Sequence, residues 1–345
     1  MTIEQLISNP EYKEKFVLQK LICYFLDYSK EEMRINAGQE ISTDQEKKIL
    51  DIYHDVADNC KPLEYALGFV EFFKRKFHVD ANTLIPRPET EYMIMAVTED
   101  IDSLQITEGR WQETTCKLQT ADNWWRWWSE FWVLSSEIWN PKSCHTLMDI
   151  GVWCGVLGIS VLLQNPCFFK RAIFTDISEK ALAVAQQNYE ILIKDHDFPV
   201  EFIKSDLLSF ITPICLSTYA TMNLILVANL PYIPEKTFEE NAADNVKKRE
   251  PKMAFVWGDD WLIYYRKMLD QIITIVESQK SIKSIKSDEW PSTWWPSTWW
   301  TMFLEMMTRQ VDILRQEYKE KFTFEEVKTF HFNIRIVKAT LLKND

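Results

Sequence analysis

The chain has 345 residues, of which 46% are hydrophobic and 26% are charged, and its formal net charge is −12. This composition excludes a disordered protein, and the acidity argues against a broad surface for nucleic acids, although not against a basic protein partner. The seven cysteines include no Cys-x-x-Cys pair and the five histidines are scattered, so neither a disulfide framework nor a metal site is expected.

The first 66 residues have the spacing of amphipathic helices. They begin without the basic, apolar leader of a secreted protein, and apolar side chains recur every three or four positions over residues 16–26 and 49–56. We predict a small helical bundle over residues 1–66, followed by a linker with a β-hairpin over residues 67–83. Because no apolar run of about 18 residues occurs, the protein is expected to be cytoplasmic and free of membrane contact.

A larger domain is predicted over residues 84–345. Its proline-rich start, residues 84–89, is stiff and leads into a helix that begins at Thr90 or Glu91. Two stretches, 108–143 and 278–301, are polar and lack a periodic pattern. We interpret both stretches as mobile insertions in this domain.

Between the two insertions, strand patterns alternate with helix patterns. Strands are predicted at 146–150, 172–175, 200–204 and 224–228, with helices at 156–163 and 179–193. This alternation is typical of an α/β protein with a doubly wound, mostly parallel sheet, whose ligands bind beyond the carboxyl ends of the strands. Four polar residues lie at or just after these strand ends and predict a binding site there: Asp149, Asp176, Asp206 and Asn229.

The distribution of glycine and tryptophan is unusual. The chain has only 7 glycines but 15 tryptophans, and the two together come close to the glycine share of about 7% that is usual in proteins. Tryptophans stand in pairs where flexible linkers normally have glycine, as in the duplicated Pro-Ser-Thr-Trp-Trp of residues 291–300. Since no protein core needs such pairs, we hypothesise that most of these tryptophans stand at UGA codons that the source organism reads as glycine.

A glycine-containing loop follows the first predicted strand. It reads Asp149-Ile150-Gly151-Val152-Trp153-Cys154-Gly155. With glycine in place of Trp153, it has the tight strand–turn–helix form that lets the backbone approach a ligand closely. Dinucleotide-binding enzymes use a similar loop, so this signal alone does not decide the ligand. Asp176, at the end of the next strand, suits the two hydroxyls of a ribose in either case.

The fourth predicted strand ends in Asn229-Leu230-Pro231-Tyr232, the most informative motif of the chain. Leu230 precedes a proline and is therefore pushed toward an extended conformation. The Asn229 carboxamide and a neighbouring carbonyl can then accept both hydrogens of an NH2 group, while Tyr232 supplies a flat packing face. This arrangement suits methylation of a planar nitrogen and has no place in a dehydrogenase. Together with the loop, it resembles a class I S-adenosylmethionine-dependent methyltransferase.

The resemblance becomes specific for the HemK/PrmC family, the methyltransferases that modify a glutamine of peptide chain release factors. It extends from about residue 5 to residue 340 and includes residues 62–68, 85–91, 175–178, 181–188, 205–208 and 249–262. The last of these segments matches the family once Trp257 and Trp261 are read as glycine, which supports the recoding hypothesis. The chain departs from the family at Leu230, where proline is usual, and in the two insertions.

The resemblance implies a Rossmann-like sheet, S-adenosylmethionine as the methyl donor and no metal. It implies a cofactor-binding role for Asp149, Gly151, Trp153, Gly155, Asp176, Asp206, Leu207 and Asn229. Asn229 and the Leu230 carbonyl would accept the N–H bonds of the substrate glutamine, Pro231 would hold the turn and Tyr232 would pack against the side chain. The implied partner is a release factor, docked by the N-terminal bundle so that its Gly-Gly-Gln loop enters the pocket. We expect a monomer that does not bind nucleic acid directly.

Three alternatives stay open on the sequence alone. Ribosomal RNA adenine dimethyltransferases share the Asn-Leu-Pro-Tyr motif, but they would be basic and would carry a C-terminal helical domain. A ribosomal-protein glutamine methyltransferase is a close variant that the N-terminal bundle makes less favoured. If Trp153 is a true tryptophan, its indole would occupy ligand space, and the chain would be an inactive binding module.

Overall fold

The computed structural model describes residues 1–107, 145–166, 168–194, 198–212, 223–256, 260–285, 300–331 and 334–342. The predicted insertion at 108–143 lies outside the described residues. In the insertion predicted at about 278–301, a helix continues to Ile285 and a strand begins at Trp300, and the insertion itself stays a prediction. Residues 278–285 are mostly Lys, Ser, Gln and Ile, which extend a helix at little cost. No helix of the described residues is both long and apolar enough to cross a membrane.

The N-terminal part contains five helices: α1 (Ile3–Ser8), α2 (Lys15–Leu26), α3 (Lys30–Ile35), α4 (Thr43–Ala57) and α5 (Leu63–Leu67). Helices α1, α3 and α4 begin with capping boxes, in which the cap hydroxyl accepts the N–H of the third helical residue and that residue's side chain accepts the cap N–H. The apolar faces of the N-terminal helices meet in a cluster of their own, which includes Ile3, Leu18, Leu21 and Ile49. A hairpin of β1 (Phe69–Phe72) and β2 (Arg75–His78) follows. The division into domains at residues 66 and 83 stays a prediction.

The rest of the described chain forms one large α/β unit. Its elements are α6 (Glu91–Thr107), β3 (His145–Ile150), α7 (Val156–Gln164), β4 (Phe169–Asp176), α8 (Glu179–Leu192), β5 (Val200–Lys204), β6 (Asn223–Ala228), α9 (Glu235–Asn241), α10 (Asp244–Arg249), α11 (Ile263–Ile285), β7 (Trp300–Met307), α12 (Thr308–Glu317), β8 (Phe322–His331) and β9 (Ile334–Leu341). Seven strands pair in the order β5-β4-β3-β6-β7-β9-β8. The first five are parallel, and β9 runs antiparallel to both β7 and β8. The predicted Rossmann-like α/β fold is confirmed.

Helices cover both faces of the sheet, because successive residues of a strand point to opposite sides. In β6, Ile225 and Val227 pack in the cluster that contains the buried residues of α6, α7 and α8. Leu224 and Leu226 pack instead with the buried residues of α11 and α12. A strand that is buried on both sides must be apolar throughout, which explains the continuous apolar run before Asn229.

Trp300 is a tryptophan of the duplicated Pro-Ser-Thr-Trp-Trp segment that lies in the core. Its side chain is only 1% exposed and packs in the cluster with α11, and its backbone pairs with Leu224. Trp300 therefore fills a core position, although its Nε1 has no hydrogen-bond partner among the described residues, and the hypothesis that it stands at a glycine codon stays untested. Among the 15 tryptophans, Trp153, Trp261 and Trp300 lie within the described residues.

The order of the strands places a crevice at one edge of the sheet. Strands β3, β4 and β5 follow one another to one side, and the chain then returns to β6 on the other side of β3. Parallel sheets bind their ligands beyond the carboxyl ends of the strands at such a reversal. The residues after β3 and β6 therefore face one another across this crevice.

Candidate active site

The loop between β3 and α7 has left-handed backbone at every second residue. The φ angles are +73° at Gly151, +51° at Trp153 and +83° at Gly155. An L-residue in this region brings its Cβ close to the following carbonyl oxygen, at a cost of about 1–2 kcal/mol, whereas glycine has no such penalty. The backbone at position 153 therefore has a conformation that favours glycine.

The two glycines of this loop are also required by their neighbours. A Cβ at Gly155 would lie 2.7 Å from Ile159 Cδ1 and 3.3 Å from Ala185 Cβ, and a Cβ at Gly151 would lie 3.1 Å from Leu230 Cδ2. The loop thus packs tightly against α8 on one side and against the motif that follows β6 on the other. This packing brings the two sequence motifs together.

Two small cavities share Gly151 and Trp153 in their linings. The first has a volume of ≈ 50 Å³ and is lined by Gly151, Trp153, Asp176, Ile177, Ser205, Asp206, Leu207, Leu230, Pro231, Met253 and Tyr264. The second, of ≈ 20 Å³, is lined by Leu84, Pro86, Arg87, Thr90, Gly151, Val152, Trp153, Cys154, Val156, Leu157 and Asn229. Both volumes are far below the roughly 300–1,000 Å³ of a typical ligand pocket. Since Gly151 and Trp153 line both, we expect that removal of the indole joins the two cavities into one channel.

The indole itself is poorly accommodated. Trp153 is 9% exposed, and its Nε1 has no hydrogen-bond partner among the described residues. A buried donor without a partner costs about 1–3 kcal/mol. Trp300 Nε1 is also without a partner, so the left-handed backbone and the small cavities are what favour a glycine specifically at position 153.

Asp176 ends β4 and lines the first cavity, as predicted for a ribose ligand. Its Oδ2 accepts the Trp153 N–H at 3.1 Å and its Oδ1 accepts the Ser178 N–H at 2.8 Å. Burial raises the pKa of this carboxyl, while the N–H groups of Ser178, Trp153 and Ile177 oppose the rise. A carboxylate has about four acceptor positions, so acceptor capacity remains for a hydroxyl group.

Asp149 lies beneath the loop instead of in either cavity. Its Oδ2 accepts the Gly158 N–H at 2.8 Å, which ties β3 to the first turn of α7. Burial raises its pKa to about 7, although the bond from Gly158 lowers it. Asp149 therefore supports the loop in this structure, and direct contact with a cofactor stays a prediction.

Asp206 and Leu207 border the first cavity from the end of β5, where adenine is predicted to bind. Asp206 is half exposed and forms an ion pair with Lys267 of α11. Leu207 has a φ of +56° and is buried. The aromatic ring of Tyr264 lines the same cavity, so this end offers an apolar surface with a carboxylate at its rim.

The motif that follows β6 lies between the loop and β7. The Asn229 Nδ2 donates to Thr90 Oγ1 at 3.2 Å, and the Tyr232 hydroxyl donates to Glu305 Oε1 at 3.1 Å. The Tyr265 hydroxyl lies 3.5 Å from the Leu230 carbonyl oxygen, a long contact that leaves the second lone pair of that oxygen available. Gln310 also fixes the backbone here, because its Nε2 donates to the Tyr232 carbonyl at 3.3 Å.

Sequence reasoning missed Thr90 and Glu305 as members of this site. Thr90 was noticed only as a helix start, yet its side chain is 3% exposed and contacts Asn229. Glu305 is a lone carboxyl in the apolar strand β7 and is 2% exposed. A single charge in an otherwise apolar strand was the signal that could have identified it. Among the described residues, no group of His, Cys, Asp and Glu is arranged to hold a metal ion.

Comparison with known proteins identifies relatives over most of the chain. No protein-family model matches it. The release factor glutamine methyltransferase of Bacillus cereus is 27% identical over 259 residues, which cover 75% of this chain and 75% of that protein. The protein of the same name from Lactococcus lactis is 26% identical over 290 residues, covering 84% of this chain and 80% of the relative.

The similar solved structures have lower sequence identity to this chain than these relatives. The catalytic domain of human METTL16, solved with an RNA hairpin, covers 88% of this chain and 84% of its own, with 12% identity and a TM-score of 0.45. A complex from E. cuniculi responsible for methylation of the eRF1 translation termination factor covers 75% of this chain and 98% of its own, with 11% identity and a TM-score of 0.36. Similarity at this level does not bear on function.

Proposed function

Since the chain belongs to the family of release factor glutamine methyltransferases, we propose that it methylates the side-chain amide nitrogen of the glutamine in the Gly-Gly-Gln loop of peptide chain release factors, with S-adenosylmethionine as methyl donor. The observation that carries this proposal is the meeting of the two motifs at the edge of the sheet. The 151–155 loop and Asp176 share one cavity with Leu230 and Pro231. Asn229 lines the adjoining cavity.

The residues around the first cavity are of the chemical types that would bind the cofactor. Asp176 offers acceptors for ribose hydroxyls, and Leu207 and Tyr264 offer apolar and aromatic surface for an adenine. The cavity does not fit it in size while the indole of Trp153 is present in the lining of both cavities. With glycine at position 153, the channel would extend from Asp176 to Asn229. The bound cofactor would supply an electrophilic methyl group at the Asn229 end.

The substrate nitrogen needs help because the lone pair of an amide is delocalised into its carbonyl. Asn229 Oδ1 and the Leu230 carbonyl accept its two N–H bonds, which orients the nitrogen toward the methyl group. These two acceptors also favour the positive charge that develops on the nitrogen during transfer. Tyr232 packs against the glutamine side chain and restricts its rotation. The catalytic contribution of this chain is therefore mainly alignment.

We assign the docking of the release factor to the N-terminal helices. Four large hydrophobic side chains are exposed there, and the two most exposed are Phe16 of α2 at 58% and Ile35 of α3 at 82%. The ammonium groups of Lys20 and Lys30 lie over the Phe16 ring, 4.9 and 5.7 Å from its centroid. An apolar surface with polar or charged residues around it is typical of a site for a protein partner.

A transfer assay with labelled S-adenosylmethionine tests the proposal. The enzyme is used with the Trp153→Gly change, and it is offered a release factor, ribosomal RNA and ribosomal proteins in parallel. The release factor should be labelled, and a release factor with Gln→Ala in the Gly-Gly-Gln loop should not be. Label on RNA adenines or on a ribosomal-protein glutamine, without label on the release factor, would contradict the proposal.

A further inference from the structure

Glu305 is a buried carboxyl that no step of the proposed reaction uses. It lies on β7 directly after Leu304, whose backbone pairs with Ala228, so it stands beside the motif that begins at Asn229. Its side chain is 2% exposed. Since a buried carboxyl is unfavourable unless it receives hydrogen bonds, its neighbours should explain its presence.

The neighbours of Glu305 are donors from two separate segments, the turn that contains Thr90 and the motif that follows β6. The Tyr232 hydroxyl donates to Oε1 at 3.1 Å. Thr90 and Asn229 are close enough to the carboxyl to lower its pKa, as the Tyr232 hydroxyl also does, while burial has the larger and opposite effect. Glu305 Oε2 has no hydrogen bond of good geometry among the described residues, so the carboxyl retains acceptor capacity.

When Glu305 is ionised, the donors and acceptors of these hydrogen bonds are fixed. An ionised carboxylate can only accept hydrogen bonds, so Thr90 and Tyr232 must turn their hydroxyl hydrogens toward it. The Thr90 oxygen is then free to accept the Asn229 Nδ2 hydrogen, at 3.2 Å. The Asn229 NH2 group therefore has its acceptor only when it points toward Thr90. Its Oδ1 must point the other way, which is the orientation that acceptance of a substrate N–H requires.

We propose that Glu305 is a positioning residue that, as a carboxylate, fixes the amide of Asn229 with its oxygen toward the substrate and orients Tyr232 in the same network. This inference rests on the proposed function for the identity of the substrate, but the orientation of Asn229 can be measured without it. A protonated Glu305 would be a donor as well as an acceptor, and the direction of the network would no longer be fixed.

The network therefore depends on pH. Burial and, to a smaller extent, the carboxyl of Glu89 in the neighbouring turn raise the pKa of Glu305 to about 7. The other titratable groups that face it, Tyr232 and Tyr265, have pKa values well above their usual range because of burial, so they stay neutral. Below about pH 7 Glu305 takes up a proton, and the ordered form of the site is lost as the pH falls.

Glu305→Gln tests the inference, because the amide has the same shape but both donates and accepts. We expect kcat for methyl transfer to fall by about 10- to 100-fold, with little change in KM for the release factor, as for other residues that orient a catalytic group. The decline of wild-type activity on the acid side, near pH 7, should be absent in the variant. Glu250→Gln is the control, because Glu250 is also a buried carboxyl but pairs with Arg87. This control should retain the acid-side decline.

The amide NH2 resonances of Asn229, assigned from their loss in Asn229→Asp, provide a readout that does not need a substrate. They should shift with a midpoint near pH 7 in the otherwise unchanged Trp153→Gly protein and show no such shift after Glu305→Gln. Melting temperatures establish that both variants are folded. An unchanged kcat and acid-side decline in Glu305→Gln, or Asn229 resonances that do not respond to pH, would overturn the inference. A protein inactive on release factors that still shows the shift would contradict only the proposed function.

Discussion

The backbone N–H of Trp153 donates a hydrogen bond of 3.1 Å to Asp176 Oδ2. This bond holds the main chain of the loop against the carboxylate at the end of β4. The same residue lines the cavity that contains Asp176 and the cavity that contains Asn229. The backbone of residue 153 is thus placed as a cofactor loop requires, while its side chain occupies the space in which the cofactor is proposed to bind.

Asn229→Ala should impair transfer without impairing cofactor binding. The substitution removes the side-chain acceptor for the substrate N–H, and one positioned hydrogen-bonding group is worth about 10²-fold or more in rate. Single-turnover transfer and calorimetric titration of S-adenosylmethionine, both in the Trp153→Gly background, measure the two properties separately. Equal transfer rates with and without the Asn229 side chain would remove it from the mechanism.

Gly155→Ala should destabilise the protein. The residue has a φ of +83°, and an added Cβ would lie 2.7 Å from Ile159 Cδ1. Backbone strain and overpacking together should lower the free energy of unfolding by about 2–4 kcal/mol. Gly38→Ala is the matched control, because a Cβ there meets nothing within 4 Å, and it should change stability by less than about 0.5 kcal/mol. Denaturant titration compares the two, and equal effects would contradict the tight packing of the loop.

Asp149 should make the protein less stable as the pH rises. Its pKa is raised to about 7 in the folded state by burial, whereas an unfolded aspartate titrates near about 3.9. Between these values the folded state holds a proton that the unfolded state releases, so its stability is greatest at low pH and declines up to about pH 7.

Asp149→Asn removes this titration and keeps an acceptor for the Gly158 N–H. Relative to the wild type, the variant should therefore gain about 2 kcal/mol between pH 5 and pH 8. Denaturant titrations of both proteins at the two pH values give this difference directly. If the free-energy difference between them is the same at both pH values, Asp149 does not hold a proton in the folded protein.

The combined change Phe16→Ala and Ile35→Ala should weaken the enzyme for its protein substrate only. These side chains are the exposed apolar groups proposed to meet the release factor, and their loss should raise KM by about 10-fold. Ile191→Ala, which removes a side chain 52% exposed on α8, is the matched control and should leave KM unchanged. Steady-state transfer assays at varied release factor concentration test this. If both proteins have the wild-type KM, the release factor docks elsewhere.

The sheet and the two motifs were predictable from the sequence because their signals are local. Apolar runs of strand length end in Asp or Asn, and glycine marks the tight turn after β3. The wider site was not predictable in this way. Thr90 reaches Asn229 from 139 residues earlier in the chain, and Glu305 reaches Tyr232 from 73 residues later. The order of strands in the sheet creates both contacts, and no local pattern encodes that order.

The tryptophan content alone does not show which positions favour glycine. The tryptophans at positions 153 and 300 belong to the same unusual excess, yet their surroundings differ. The left-handed backbone at position 153 favours glycine, whereas Trp300 fills a core position on β7. A residue count cannot separate these two cases, because they differ in backbone conformation and in packing.

Calorimetric titration of S-adenosylmethionine into the chain as written and into Trp153→Gly tests the site assignment most directly. The added volume should let the variant bind the cofactor, while the chain as written binds far more weakly because its indole occupies the pocket. Trp261→Gly alone serves as the control, since Trp261 lines neither cavity, and it should not restore binding. Matching affinities for the chain as written and Trp153→Gly would contradict both the proposed pocket and the glycine assignment at position 153.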